Sequence, residues 1–573
     1  MLGNLLSKRY FHFVLIVLCA LITFALQFNF RAFDDNRLTS WKWAFVDANM
    51  SWYLPVLLAA FFLIYILIKF SSARQGLFLT LLSFVVSAAF WSTPEVIVDA
   101  SRYFTQAKHL EIFGMGYFVR EWGGSINAWT DMPLAPFLYG LLFKCFGESR
   151  TVVQVFTSLL FSMTVLLTYL TGKRLWDDET GFFAGLLLLG IPYVFSQTPL
   201  MLVDVPTMFF LTLSVFTFIC ALEKGGAWTF ASAAAVFCAA FVKYSTWMML
   251  LILPIILLVY ILKGREARGE RREATKLIIY RGLSVAAIAG VLIGIVIIYK
   301  YDVISGQISF LREYQAPGLR RWGESFVSTF LYQVHPFITC AALFSVYAAV
   351  RKKDPKFLII SWLIILIFVM QIRRSRYVLI AFPMLALMAS YGLQKIKEIE
   401  IKRFIVSCIL ASSLVAAVFA CRPFLQSMSL VNLKDAGIFL DSVNTKGVEV
   451  YTIYSSRSIV NPAVAVPILD LFTDKKISYH HDPDFRLPFK KIEKSPLRFT
   501  WEYENPEYYL PDQGVKDRNS AIVVISNGPL KDLPDDVSEK IEGYKSTRVF
   551  DTSTRIFRYS PVVSVYIRDD IGE

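Results

Sequence analysis

Charge is scarce along this 573-residue chain: Asp, Glu, Lys and Arg make up 18% of it, against 55% hydrophobic residues. A soluble protein of this length needs far more charge to clothe its surface, so a soluble architecture is excluded. Cysteine is sparse and unpatterned. The seven cysteines show no metal-type spacing, and most sit in or beside long apolar runs. They read as small core residues rather than zinc ligands or a disulfide framework. Nothing in the polar C-terminal part reads as a nucleotide-binding loop. The net charge of +13 is no nucleic-acid signal either, because much of it lies in short loops between apolar runs.

What the chain does have is apolar length. Runs at 11–28, 52–70 and 151–170 are each roughly the 18–20 residues that cross a bilayer core as a helix. Lys8 and Arg9 precede the first run, which is long and lacks a small-residue cleavage site, so it reads as a membrane helix and not as a signal peptide. About thirteen spans are expected, at 10–29, 52–70, 75–94, 151–172, 180–196, 205–222, 227–242, 245–262, 282–299, 326–349, 356–372, 377–393 and 404–421. With the N-terminus cytoplasmic, the most basic connections (173–174, 265–281, 351–353 and 395–403) all fall inside, as Lys/Arg bias requires. The remainder after the last span is then external. Arg373, Arg374 and Arg376 break the bias, lying together on the external side.

Two external segments stand out. Residues 95–150 are too long for a simple connector and show helical spacing at 99–113 and 134–146, which predicts two amphipathic helices in the interface. The tail carries β-type runs at 448–454, 521–526 and 562–567, punctuated by Pro and Gly. The expected fold is thus an α-helical polytopic membrane protein: a transmembrane domain over 1–422, with its external loop at about 95–150, and a small extramembrane α/β domain over 423–573.

The polar candidates gather at one membrane face. Asp99 directly follows a span and opens the first interfacial helix. It reads either as a helix N-cap or as a catalytic carboxylate whose basicity rises on desolvation. Asp204 stands just before Val205-Pro206 at the start of a span, with the same two readings. Asp131, in the segment Trp129-Thr130-Asp131-Met132-Pro133, is a third external acid. Lys243 and Tyr244 interrupt an apolar hairpin; a lysine there either snorkels or joins Arg374, Arg376 and Tyr377 in a basic cluster at headgroup depth. Such a cluster suits a lipid phosphate, or ordinary anionic headgroups, because guanidinium forks match phosphate oxygens. His335, before Pro336, reads mainly as a packed, hydrogen-bonded residue. Asp177-Asp178-Glu179 resembles an acidic metal motif but falls on the cytoplasmic side, as loop charge.

In order along the chain, Asp99, Met132-Pro133-Leu134-Ala135-Pro136, Gly172-Lys173-Arg174-Leu175, Ile191-Pro192, Asp204-Val205-Pro206, Lys243 and Arg376-Tyr377 form a series that resembles the GT-C superfamily of membrane glycosyltransferases. The nearest groups are the protein O-mannosyltransferase-like family and the lipid A aminoarabinose transferases. The resemblance spans Asp99 to about Tyr391. It implies inverting transfer of a sugar from a polyprenyl-phosphate donor to an acceptor hydroxyl of lipid A, polysaccharide or protein, on the outer membrane face; a bacterial inner membrane is the expected location, since no eukaryotic retention signal ends the chain. Asp99 is then the general base, and Asp204 orients the acceptor or supports Asp99. Lys243, Arg374, Arg376 and Tyr377 hold the departing phosphate, with Asp131, Tyr244 and His335 as acceptor or support residues. No nucleotide is implied, and no ligand set demands a metal. Ala100 stands where many members carry a second acid, and Asp131 where a basic contact is usual. These departures leave sugar and acceptor open.

Two other classes compete. A transporter or flippase of lipid-linked sugars places ionisable or helix-breaking positions near the midplane and shows internal repeats, whereas here the spans are nearly free of charge. A non-catalytic scaffold makes the paired acids and basic cluster incidental. The convergence of polar groups at one interface favours surface chemistry over both.

Overall fold

The computed structural model describes residues 8–30, 33–34, 41–46, 48–70, 74–265, 271–315, 324–428, 430–454, 458–480, 492, 495, 497–511, 520–528, 533–553, 559 and 561–568. Among them, eight helices are long and apolar enough to cross a membrane: Tyr10–Phe30, Met50–Lys69, Arg150–Leu175, Asp204–Lys224, Ser245–Lys263, Glu273–Tyr299, Ser375–Leu393 and Ile399–Gln426. Each answers one expected span. The other five expected spans are shorter helices, Gln75–Ala88, Asp178–Leu189, Ala227–Val242, Pro336–Lys352 and Phe357–Val369. Pro192 and Pro336 each open a new helix and break the longer segment expected around them. For one of these, burial explains why a short piece suffices. Asp178–Leu189 is buried from Thr180 onward, and a helix walled by protein has no need to match a bilayer's thickness. The chain is a multi-pass membrane protein.

The 95–150 segment forms two helices, α1 (Ala100–Glu121) and α2 (Leu134–Phe146). They pack closely because Gly140 lacks a side chain: a Cβ there would meet Ala107 O at 2.7 Å. Phe104, Tyr139 and Phe143 fill the space between them and the spans beneath, and Tyr139 Oη donates to Leu202 O at 2.7 Å. Gly114, at φ 84°, kinks α1. The sequence suggests an interfacial helix with one wet face, but the first three turns of α1 are buried nearly all round. The C-terminal part covers the polar face. Tyr503 and Tyr508 hydrogen-bond Thr105, Lys108 pairs with Asp470 at 2.5 Å, and Phe499 lies against Arg102.

That C-terminal part is a mixed five-stranded sheet in the order β2-β1-β3-β5-β4, built from β1 (Gly447–Ile453), β2 (Lys476–His480), β3 (Ser520–Asn527), β4 (Tyr544–Phe550) and β5 (Pro561–Arg568). β1 runs parallel to β2 and β3, while β5 is antiparallel to β3 and β4. The three β-type runs expected from sequence are β1, β3 and β5, the inner strands. Val98, just before α1, packs into the core of this sheet.

Candidate active site

Four elements meet where α1 begins: the turn at Asp99, α3 (Asp204–Lys224), the end of α4 (Ala227–Val242), and the short helix Ser375–Val378. Arg376 joins them. Its Nη1 donates to Asp99 Oδ2 at 2.6 Å and its Nε to Asp204 Oδ2 at 2.5 Å. Lys243 Nζ donates to the other Asp204 oxygen at 2.6 Å and stands 4.4 Å from the centre of the Tyr377 ring. Asp99, Asp204 and Arg376 are 8%, 0% and 5% exposed. Neither acid caps its helix. Asp99 already has helical φ/ψ and makes no side-chain cap, and Asp204 is a first-turn residue whose N-cap is Val203. Their carboxylates serve Arg376 instead. The misplaced basic stretch expected from sequence thus has a structural reason in these two acids.

Arg102, one helical turn beyond Asp99, is a partner that the sequence pattern does not single out. Its Nη2 lies 3.7 Å from Asp99 and 3.4 Å from Asp131, and the Phe499 ring covers its guanidinium at 4.3 Å. Gln106 Nε2 also donates to Asp131, at 3.2 Å. Burial pushes the Asp99 carboxyl up, but the guanidiniums of Arg376, Arg102 and Arg374 outweigh it and hold it down at about 2. The expected gain in basicity from desolvation is therefore reversed in this state. For Asp131 burial prevails, and its carboxyl is raised although Arg102 pulls against it.

Beside Arg376 opens a cleft. Arg374, Arg376, Glu324, Gln197, Gln333, Ser196 and Tyr193 supply its polar wall, and Ile97, Phe424 and Leu425 part of its apolar wall. Arg374 Nη1 donates to Tyr377 Oη at 3.3 Å. Glu324, also unforeseen from sequence, accepts the Ser375 N–H at 2.5 Å. The remaining expected residues sit further from this centre. Tyr244 Oη donates to Gln307 Oε1 at 2.5 Å, and Gln307 Nε2 donates to Asp131 O at 3.1 Å, so Tyr244 joins the network through one intermediary. His335 caps the helix Pro336–Lys352 and bonds Ser412 at 2.8 Å; among the described residues its ring hydrogen-bonds none of those above. Asp177, Asp178 and Glu179 bond separately to Thr180, Lys173 and Lys402. Among the described residues, no three His, Cys, Asp or Glu side chains converge as a metal site.

Residues 130–294 match the family described as dolichyl-phosphate-mannose-protein mannosyltransferase. This stretch holds Asp131, Asp204, Lys243 and Tyr244, but not Asp99 or Arg376. No curated protein matches the chain. Among solved structures, the chain is similar to ArnT from Cupriavidus metallidurans bound to undecaprenyl phosphate, with a TM-score of 0.54 and 13% identity over 87% of this chain and 100% of that one. It is similar also to ArnT from the same organism in the apo state, with a TM-score of 0.54 and 11% identity over 85% and 97% of the two chains. The chain thus shares the fold of these ArnT structures.

Proposed function

We propose that this chain is a GT-C glycosyltransferase that transfers a sugar from a polyprenyl monophosphate carrier to an acceptor hydroxyl, with inversion, at the external face of a bacterial inner membrane. The observation that carries the reading is the Arg376 fork, which locks Asp99 and Asp204 together while Arg376 itself, with Arg374, lines a cleft. Asp99 takes the proton from the acceptor O–H as that oxygen attacks the anomeric carbon. The carbon–oxygen bond to the phosphate breaks, and the phosphate leaves with the electron pair. Arg374, together with the Nη2 edge of Arg376, receives the developing phosphate charge. Lys243 and Tyr377 support that side of the site, while Asp204 fixes Arg376 and through it Asp99. The acceptor is a glycan, lipid or protein hydroxyl, and Arg102 and Asp131 support Asp99 from behind.

Charge balance supports a monophosphate. The cations Arg102, Arg374, Arg376 and Lys243 match the carboxylates Asp99, Asp131, Asp204 and Glu324 one for one. A neutral site accepts a singly charged phosphodiester at less electrostatic cost than a diphosphate. The undecaprenyl phosphate bound to the similar ArnT structure points the same way. Asp99 at rest is a weak base, and a donor phosphate that draws Arg376 and Arg374 toward itself relieves the depression, so the base gains strength when donor is present.

The reading is tested with the purified chain in lipid nanodiscs, given polyprenyl-phosphate sugars, polyprenyl-diphosphate sugars and nucleotide sugars beside an extract of envelope glycans. Turnover of a monophosphate donor alone is expected. Turnover of nucleotide sugars, or translocation of the lipid-linked sugar without transfer, contradicts it.

A further inference from the structure

The cleft holds a hydrogen-bonding demand that a lipid phosphate cannot meet. Gln197 is 4% exposed and lines the cleft. Ser196 Oγ donates its one hydrogen to Tyr193 O at 2.7 Å, so at 3.2 Å from Gln197 Nε2 it acts as acceptor. This fixes the orientation of the Gln197 amide. Its nitrogen donates to Ser196, and its Oε1 is left buried without a donor. Buried polar atoms in native proteins are nearly always satisfied, and the exceptions concentrate at functional sites. Glu324, on the same cleft, receives the Ser375 N–H on Oε2 and makes no other hydrogen bond among the described residues. The cleft therefore presents guanidinium donors from Arg374 and Arg376 together with acceptors from Gln197 and Glu324.

A phosphate brings only acceptors and suits the arginines. Gln197 Oε1 lacks a donor, and the Glu324 carboxylate has room to accept one beside the Ser375 N–H. We propose that Gln197 and Glu324 form a subsite that reads ring hydroxyls of the sugar carried on that phosphate, so that the cleft binds the glycosyl phosphate as one unit and selects among sugars. The apolar wall of Ile97, Phe424 and Leu425 excludes water from these bonds and strengthens them. The inference rests on the glycosyl-phosphate reading above.

The test compares binding of bare undecaprenyl phosphate with undecaprenyl-phosphate mannose, glucose, galactose and arabinose, using the full chain in nanodiscs. The native chain should hold at least one of these sugar lipids about tenfold more tightly than the bare lipid, the worth of one or two net hydrogen bonds. Gln197→Met, close in shape but without the acceptor, should cut that ratio severalfold and leave bare-lipid affinity unchanged. Glu324→Gln, which still accepts from Ser375, should also lower the ratio. Thermal unfolding of each variant checks that the fold is intact. An unchanged ratio in both variants, or no sugar lipid that outbinds the bare one, overturns the subsite. Failure of the bare lipid to bind, while a sugar lipid binds through Gln197, counts against the phosphate reading and leaves the subsite standing.

Discussion

Two buried ion clusters flank the 95–150 segment, and they differ in what surrounds them. Glu95 and Arg150 sit at its two ends and pair at 2.9 Å. Glu95 also accepts the Met201 N–H, while Arg150 donates to Trp91 O and packs 4.8 Å from the Phe472 ring. Each strong hydrogen-bonding group there has a partner within the protein, and the pair staples the segment shut. Arg376 with Asp99 and Asp204 is as deeply buried, but it borders a cleft and meets further charges in Arg102, Arg374 and Lys243. Burial of charge is therefore not what separates site from scaffold. The difference is access: one cluster is closed, and the other faces a space where a ligand can change its balance.

Substitutions sharpen that contrast. Asp99→Asn should lower transfer by about 10²–10⁴-fold, the usual share of a general base, with a lower unfolding temperature as its pairing with Arg376 is lost but with the fold intact, since Arg376 keeps Asp204; rate assays and thermal melts on the same preparation check it. Arg150→Leu should do the reverse. Leaving Glu95 buried and unpaired costs about 3–5 kcal/mol of stability, read by denaturant or thermal unfolding, while the folded fraction keeps its turnover per molecule. Arg374→Ala should raise the apparent donor KM by about 10–100-fold, as loss of a charge-assisted contact does, without altering acceptor choice. An unchanged donor affinity would remove Arg374 from the phosphate cradle.

Smaller effects concern pH. The Asp99 carboxyl lies below its ordinary value, so the stabilisation it gives is present above the unfolded carboxylate value, about 4, and is lost only as pH falls toward about 2. Arg102→Leu removes one of the cations that hold it down, so Asp99 protonates at higher pH. The acid limb of kcat/KM should move upward, by about one unit. Phe499→Ala removes only the ring over Arg102. It should shift the same limb in the same direction by a fraction of that, since an arginine–aromatic contact is worth about 0.5–2 kcal/mol. No shift with Arg102→Leu would remove Arg102 from the control of Asp99, and no shift with Phe499→Ala would detach the C-terminal part from the chemistry.

The sequence is legible where burial enforces a pattern. β1, β3 and β5 are the inner strands and read as apolar runs, whereas β2 and β4 are the edges. β4 is almost wholly exposed and carries Lys545 and Arg548, the polar residues that keep an edge from pairing with another chain, so no β pattern marks it. Asp99, Asp204, Lys243 and Arg376 stand out because they gather on the external side, away from the basic connections that face inside. Arg102 lay within reach, since a cation three residues after Asp99 shares its helix face. Glu324, Gln197 and Phe499 carried no such signal. They arrive from distant parts of the chain, and only tertiary packing brings them to the site.

The anomeric configuration of the transferred sugar tests the proposed mechanism most directly, followed by NMR for the native chain and a lipid-linked donor of known configuration. A single base, Asp99, acting on the acceptor hydroxyl predicts one displacement and an inverted product. A retained configuration would require a covalent or otherwise two-step route and would contradict Asp99 as the general base of a direct displacement.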